Sequence, residues 1–128
     1  MSDTEKRKPC ILAVDDVPVV LNAITAALKD EYEIFCITKS EQVEKFLKQT
    51  TPELFLLDIE MPGMNGYELI RVIRGFKEHK STPIIFLTGN ATVWNQKIAA
   101  MHGVADLIAK PVDPDVLLEK VKIQISGG

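Results

Sequence analysis

The sequence predicts an α/β fold: a doubly wound, five-stranded parallel sheet in the order 2-1-3-4-5, with helices on both faces. Three observations predict it. Short apolar runs recur along the chain, each closed by turn residues, as expected of strands buried on both faces. Between them lie stretches with apolar residues at helical spacing. The alternation repeats five times, and strand–helix–strand units of this kind build parallel sheets through right-handed crossovers.

Taken in order, Cys10 to Val14 is the first apolar run and ends at Asp15-Asp16. Pro18 to Lys29 follows, with Val20, Leu21, Ile24, Ala27 and Leu28 on one helical face; Pro18 suits a first turn, where its missing N–H costs nothing. Glu33 to Ile37 is the second strand, and Ser40 with Val43, Phe46 and Leu47 gives a short helix capped by Ser40 or Thr38. Leu54 to Leu57 is the third strand, closed by Asp58 and the turn-rich stretch Ile59 to Gly66. Tyr67 to Lys77 places Leu69, Ile70, Ile73 and Phe76 inward and Arg71, Arg74 and Lys77 outward. Pro83 introduces the fourth strand, Ile84 to Leu87. Val93 to His102 is a helix closed by Gly103, Ala105 to Ala109 the fifth strand, and Asp113 to Ile125 the last helix. Gly63 and Gly66 read as turn glycines.

The chain has 128 residues, enough for one domain with a real core. Residues 1–9, mixed in charge between Asp3 and Lys8, are expected to form a flexible arm ahead of a domain over 10–126. With 46% apolar and 26% charged residues, the composition is that of a soluble globular protein. A net charge of −3 without a basic cluster argues against direct nucleic-acid binding. No run approaches the roughly 18 apolar residues of a membrane span. Cys10 and Cys36 both fall in apolar strand runs and are expected to be reduced and buried. Together these features point to a cytoplasmic domain.

The polar residues at strand ends carry the functional signal. Asp15 and Asp16 follow the first strand, Asp58 the third, Thr88 the fourth and Lys110 the fifth, so all lie at the C-terminal edge of the sheet. In this strand order the chain reverses between strands 1 and 3, and the acidic groups converge on the crevice where such sheets bind ligands. Three close carboxylates do not all ionise cheaply without cations. Mg²⁺ is a suitable counterion, because it takes one or two carboxylates together with waters and phosphate oxygens. The charges then balance: three aspartates against a divalent ion and Lys110.

Four ordered motifs carry a resemblance: Val-Asp-Asp at 14–16, Leu-Leu-Asp-Ile-Glu-Met-Pro-Gly-Met-Asn-Gly at 56–66, Phe-Leu-Thr-Gly at 86–89 and Ala-Lys-Pro at 109–111. Over residues 10 to 125 the chain resembles the response-regulator receiver domains of two-component signalling, a flavodoxin-like fold, and is similar to the stand-alone chemotaxis regulators. The resemblance implies that Asp58 is the phosphoacceptor, taking a phosphoryl group from a histidine kinase, a phosphotransfer protein or a small donor. It implies that Asp15, Asp16 and Asp58 hold Mg²⁺, with Asp16 a direct ligand, Asp15 acting partly through water and the Glu60 backbone carbonyl completing the set. Thr88 and Lys110 would bind the phosphoryl oxygens, and a cis Lys110–Pro111 peptide would aim the ammonium inward. The domain would act as a switch that catalyses only its own phosphorylation and dephosphorylation. It would present the surface from helix 4 through strand 5 to helix 5 to an output protein, or to a second copy in a phosphorylation-linked dimer.

The chain departs from the family pattern at one telling place. Three residues before the lysine, receivers usually carry Tyr or Phe, and here the residue is Leu107. A branched aliphatic there gives a smaller packing change than an aromatic switch would. Glu60 and Asn90 occupy the positions that flank the phosphoryl group in the family. Helix 4 admits two arrangements: Trp94, Ile98 and Met101 as its buried stripe, or Val93, Ala100 and Val104 toward the sheet with that stripe exposed. Other classes fit less well. A haloacid-dehalogenase-type hydrolase wants Asp-x-Asp where this chain has Asp58-Ile59-Glu60, and an FMN carrier wants a Ser/Thr/Gly-rich loop where this chain has Asp15-Asp16. The remaining alternative is a degenerate receiver acting as a phosphorylation-independent interaction module.

Overall fold

A computed structural model describes residues 7–126. Five strands form one sheet: β1 (Cys10–Val14), β2 (Glu33–Ile37), β3 (Leu54–Asp58), β4 (Ile84–Thr88) and β5 (Asp106–Ala109). They are all parallel and ordered β2-β1-β3-β4-β5, as the sequence predicts. The helices are α1 (Pro18–Leu28), α2 (Val43–Leu47), α3 (Gly66–Arg74), α4 (Val93–Met101) and α5 (Pro114–Ser126), with 3-10 turns at Ser40–Gln42 and Lys77–His79.

The central strands are buried on both faces, which explains why their sequences are apolar throughout rather than alternating. Successive side chains feed two cores. Leu12, Val14, Phe55, Leu57, Ile84, Phe86 and Leu107 pack with α2, α3 and α4. Ile11, Ala13, Leu54, Leu56, Ile85, Leu87 and Ile108 pack with α1 and α5. β2 lies at the edge, and this overturns one expectation: Cys10 is buried, but Cys36 is exposed and only touches Thr25 Oγ1 at 3.5 Å. An edge strand covers one neighbour, not two.

Other differences are local. Ser40 caps no helix; it is buried, and its hydroxyl accepts the Met64 N–H at 3.2 Å, tying the turn before α2 to the loop after β3. Arg74 does not face outward. It is half-buried and donates to the carbonyls of His79 (2.8 Å) and Thr82 (2.7 Å), closing the turn that leads into β4. Neither arrangement foreseen for α4 holds. Val93 and Ala100 are exposed, Met101 is 82% exposed, Ile98 is half-buried, and the inward residue is Ala99, joined by Val104. The expectations for the Trp94 side chain, and for residues 1–6 of the arm, lie outside the described residues. Among the described residues no helix is long and apolar enough to cross a membrane.

Candidate phosphoryl-acceptor site

The parallel ladders bring four strand ends into line. Past the strands proper, the Asp15 N–H donates to the Ile37 carbonyl, Ile59 to Leu87 and Lys110 to Thr88, at 3.1, 3.2 and 2.8 Å. Counting alternation from the core, Asp15 has the parity of Ile11 and Ala13, Asp58 that of Leu54 and Leu56, and Lys110 that of Ile108. These three belong to the α1–α5 side. Thr88 has the parity of Ile84 and Phe86 and belongs to the α3–α4 side.

Measured distances agree with that parity. The Lys110 ammonium lies 2.7 Å from Asp15 Oδ2 and 3.2 Å from Asp58 Oδ1. Asp15, Asp58 and Thr88 are buried and Asp16 is exposed. Carboxylate oxygens of Asp15, Asp16 and Asp58 all lie within 4.8 Å of one another. Asp15 Oδ1 accepts the Val17 N–H at 2.9 Å, which orients the carboxylate at the start of α1. Its buried Oδ2 faces the Lys110 ammonium at 2.7 Å. Glu60 is exposed, and its backbone N–H points to the Asp58 carboxylate. The Lys110–Pro111 peptide is cis.

The electrostatics follow from this packing. Burial and then the Asp15 charge raise the Asp58 carboxyl above its ordinary value, against the opposing pull of Lys110 and the Glu60 N–H. Burial works against the Lys110 charge, but the hydrogen bonds and charges of Asp15 and Asp58 outweigh it and hold the ammonium above its ordinary value. One ammonium thus serves two carboxylates, and a third stands beside them. This donor set, all carboxylate oxygens gathered within 4.8 Å of one another, fits a hard divalent cation such as Mg²⁺.

One position that supports Asp58 was not recognised as such from sequence. Gly66 is not a turn glycine; it opens α3, its N–H donates to the Ile59 carbonyl at 2.8 Å, and an added Cβ would stand 3.0 Å from the Asp58 carbonyl and from Ile59 Cα. The signal was available: Asn65 and Glu68 form a reciprocal capping box, which places Gly66 at the first helical position. Gly63, with φ of 83°, is the turn glycine expected. Leu107 is buried in the α3–α4 core, and the carbonyl of this residue receives Lys120 Nζ at 3.0 Å.

Fold and site together define a doubly wound α/β module with an acidic crevice at the C-terminal edge of its sheet, and comparison with known proteins supplies the family. Residues 11–122 match the response regulator receiver domain, and the chain belongs to that family. It is 38% identical over 114 residues to the CAI-1 autoinducer sensor kinase/phosphatase CqsS of Vibrio cholerae, covering 87% of this chain and 16% of that protein. It is 29% identical to protein PilH of Pseudomonas aeruginosa, covering 91% of this chain and 98% of that one. A CheY-like receiver domain protein from Methanospirillum hungatei superposes with a TM-score of 0.83 at 28% identity, over 94% of this chain and 95% of that one. The chain spans about half or less of several of the relatives it matches.

Proposed function

We propose that this chain is a phospho-accepting switch in which Asp58 receives a phosphoryl group and a surface around α4, β5 and α5 carries the signal. The observation behind this reading is the placement of Asp58: a buried carboxylate at the lip of the central strand, with an ammonium at 3.2 Å and two further carboxylates converging on it. In the step proposed, an Asp58 oxygen forms a bond to phosphorus while the bond from phosphorus to the donor atom breaks, and the electron pair leaves with the donor. The donor is a phosphohistidine of a sensor kinase or phosphotransfer protein, a partner class suggested by the similarity to CqsS and to the histidine-protein kinase BarA of Escherichia coli; acetyl phosphate is a small-molecule equivalent.

Phosphoryl transfer spreads charge over equatorial oxygens, so catalysis is mainly positioning and electrostatic stabilisation. Asp15, Asp16 and Asp58, with the Glu60 carbonyl, would hold Mg²⁺, which supplies charge neutralisation at the phosphoryl oxygens. Lys110 moves from its carboxylate partners to a phosphoryl oxygen, and Thr88 donates its hydroxyl to another. A phosphoryl of about −2 replaces one carboxylate charge, so the occupied site gains roughly one negative unit. That unit drives the switch. The chemistry is confined to the chain's own aspartate. On the output side, Met101 and Ile123 are exposed apolar residues of α4 and α5, suited to an output protein or a second copy.

Intact-mass measurement after acetyl phosphate treatment tests the reading. One phosphoryl group is expected with Mg²⁺, and none with EDTA or in Asp58→Asn. A wild-type protein that takes no group with Mg²⁺ would instead be a phosphorylation-independent interaction module.

A further inference from the structure

Thr88 ends β4 with its hydroxyl already engaged, since Oγ1 accepts the Asn90 N–H at 3.0 Å. Asn90 is held in turn, because its carbonyl accepts the side-chain amide of Asn95 at 2.7 Å. Asn95 is the third residue of α4, and its own N–H donates to the capping Thr92 hydroxyl at 3.1 Å. A continuous hydrogen-bonded chain therefore runs from the first turn of α4 to the hydroxyl at the end of β4, the strand that pairs with the one carrying Asp58. Packing contributes little to this loop. Gly89, Asn90, Ala91 and Thr92 are exposed, and a Cβ built on Gly89 would meet nothing within 4 Å. A segment with so few apolar contacts is held by its polar links and opens at low free-energy cost.

We propose that Asn95 is a positioning residue for Thr88: its amide latches the Asn90 carbonyl and so keeps the Thr88 hydroxyl in the resting orientation until a phosphoryl group recruits it. This rests on the reading that Asp58 accepts phosphate. Moving Thr88 toward Asp58 carries residues 89 and 90 with it, and an amide anchored on α4 resists that movement. Latch closure and phosphoryl engagement are then two states of one loop, so whatever weakens the first favours the second. It also gives the Thr88 movement a route to α4 that does not pass through residue 107, where this chain has Leu. Deleting a neutral hydrogen bond shifts such a balance by about fivefold.

The test compares Asn95→Ala and Asn95→Asp with the wild type in two measurements: the amide exchange rate of Asn90 by NMR, and the rate of Asp58 phosphorylation by acetyl phosphate with Mg²⁺. Both variants remove the amide donor, but a carboxylate in the first turn stabilises α4 through the helix dipole, whereas alanine does not. Both should exchange the Asn90 amide about fivefold faster and accept the phosphoryl group about fivefold faster. Wild-type exchange in both variants overturns the latch, and so does wild-type behaviour of Asn95→Asp alone, which would assign the effect to helix stability. If the wild-type protein takes no phosphoryl group, the functional reading falls, and the Asn90 exchange rates by themselves still decide whether the latch exists.

Discussion

Lys110 sits closer to Asp15 than to the carboxylate it would serve during phosphorylation: Nζ is 2.7 Å from Asp15 Oδ2 and 3.2 Å from Asp58 Oδ1. The ammonium is the counterion of the acidic crevice, occupying the carboxylates that a divalent cation would use. Lys110→Gln should therefore bind Mg²⁺ more tightly, by roughly tenfold; near-surface charges a few ångströms apart interact by a few kcal/mol, and rehydration of the displaced ammonium offsets part of that. Without Mg²⁺ the same variant leaves Asp15 and Asp58 without their shared partner and should lose about 2 kcal/mol of stability. Isothermal titration with Mg²⁺ and urea unfolding with and without the ion measure both effects. Equal affinity in the two proteins would refute the competition.

Asp58 gives a prediction of opposite sign. Its carboxyl lies above its ordinary value, chiefly through burial and then through Asp15. A folded-state value above the unfolded one means that the folded chain binds the extra proton, so stability falls as pH rises from about 3.8 through the folded value, and it stays lower above that. At neutral pH without metal, Asp58→Asn should thus be more stable than the wild type. Adding Mg²⁺ should reverse the order, because binding to the native state adds about 2.7 kcal/mol at a hundredfold excess over Kd, and the variant has lost a ligand. Thermal unfolding at pH 7 with EDTA and then with Mg²⁺ reads the crossing directly.

Gly66 connects the helix that follows the loop to the back of the nucleophile. A Cβ there meets two backbone atoms at 3.0 Å and Phe86 Cε1 at 3.1 Å, and backbone atoms do not yield as a side-chain tip does. Alanine would gain up to about 1 kcal/mol of helix propensity, but overpacking costs about 1–3 kcal/mol. Gly66→Ala is expected to be destabilised overall and to accept the phosphoryl group more slowly, since α3 can relax only by shifting the end of β3. Unchanged stability and rate would show that α3 moves independently of Asp58.

Much of this architecture was legible because each central strand is apolar from end to end and each strand-end residue is polar. Asp15, Asp58 and Lys110 could be assigned to one edge from spacing alone, and the structure brings them within ion-pair range. What stayed hidden depends on contacts between loops. Ser40 reads as a cap until its partner, Met64, is seen 24 residues away. Cys36 reads as core because an edge strand can look as apolar as a central one. α4 resisted because its inward contact is made by Ala99, a small residue that leaves no periodic signature. Arg74 was misjudged for a related reason: a cation at a helix C-terminus usually faces water, and this one is drawn inward by two carbonyls left open at the following turn.

The same turn holds a pH-sensitive group far from the acidic crevice. His79 is 1% exposed, stacked edge-on against Phe55 and Phe76, with Nδ1 2.8 Å from the Thr82 hydroxyl and Nε2 without any partner among the described residues. Burial lowers its pKa below 6.5, Arg74 adds to that, and Glu78 opposes it. A folded-state value below the unfolded one means that the unfolded chain binds the extra proton. Stability therefore falls as pH drops through about 6.5 toward the folded value, and levels off beneath it as far as this group is concerned. His79→Gln, which cannot titrate, should be less stable at pH 7.5 because its amide must fit a site shaped for a ring between two aromatics. Its stability should nevertheless vary less between pH 7.5 and 5.5 than that of the wild type. Urea unfolding at intervals across that range gives the two slopes; identical slopes would mean that His79 is protonated as readily in the folded chain as in the unfolded one.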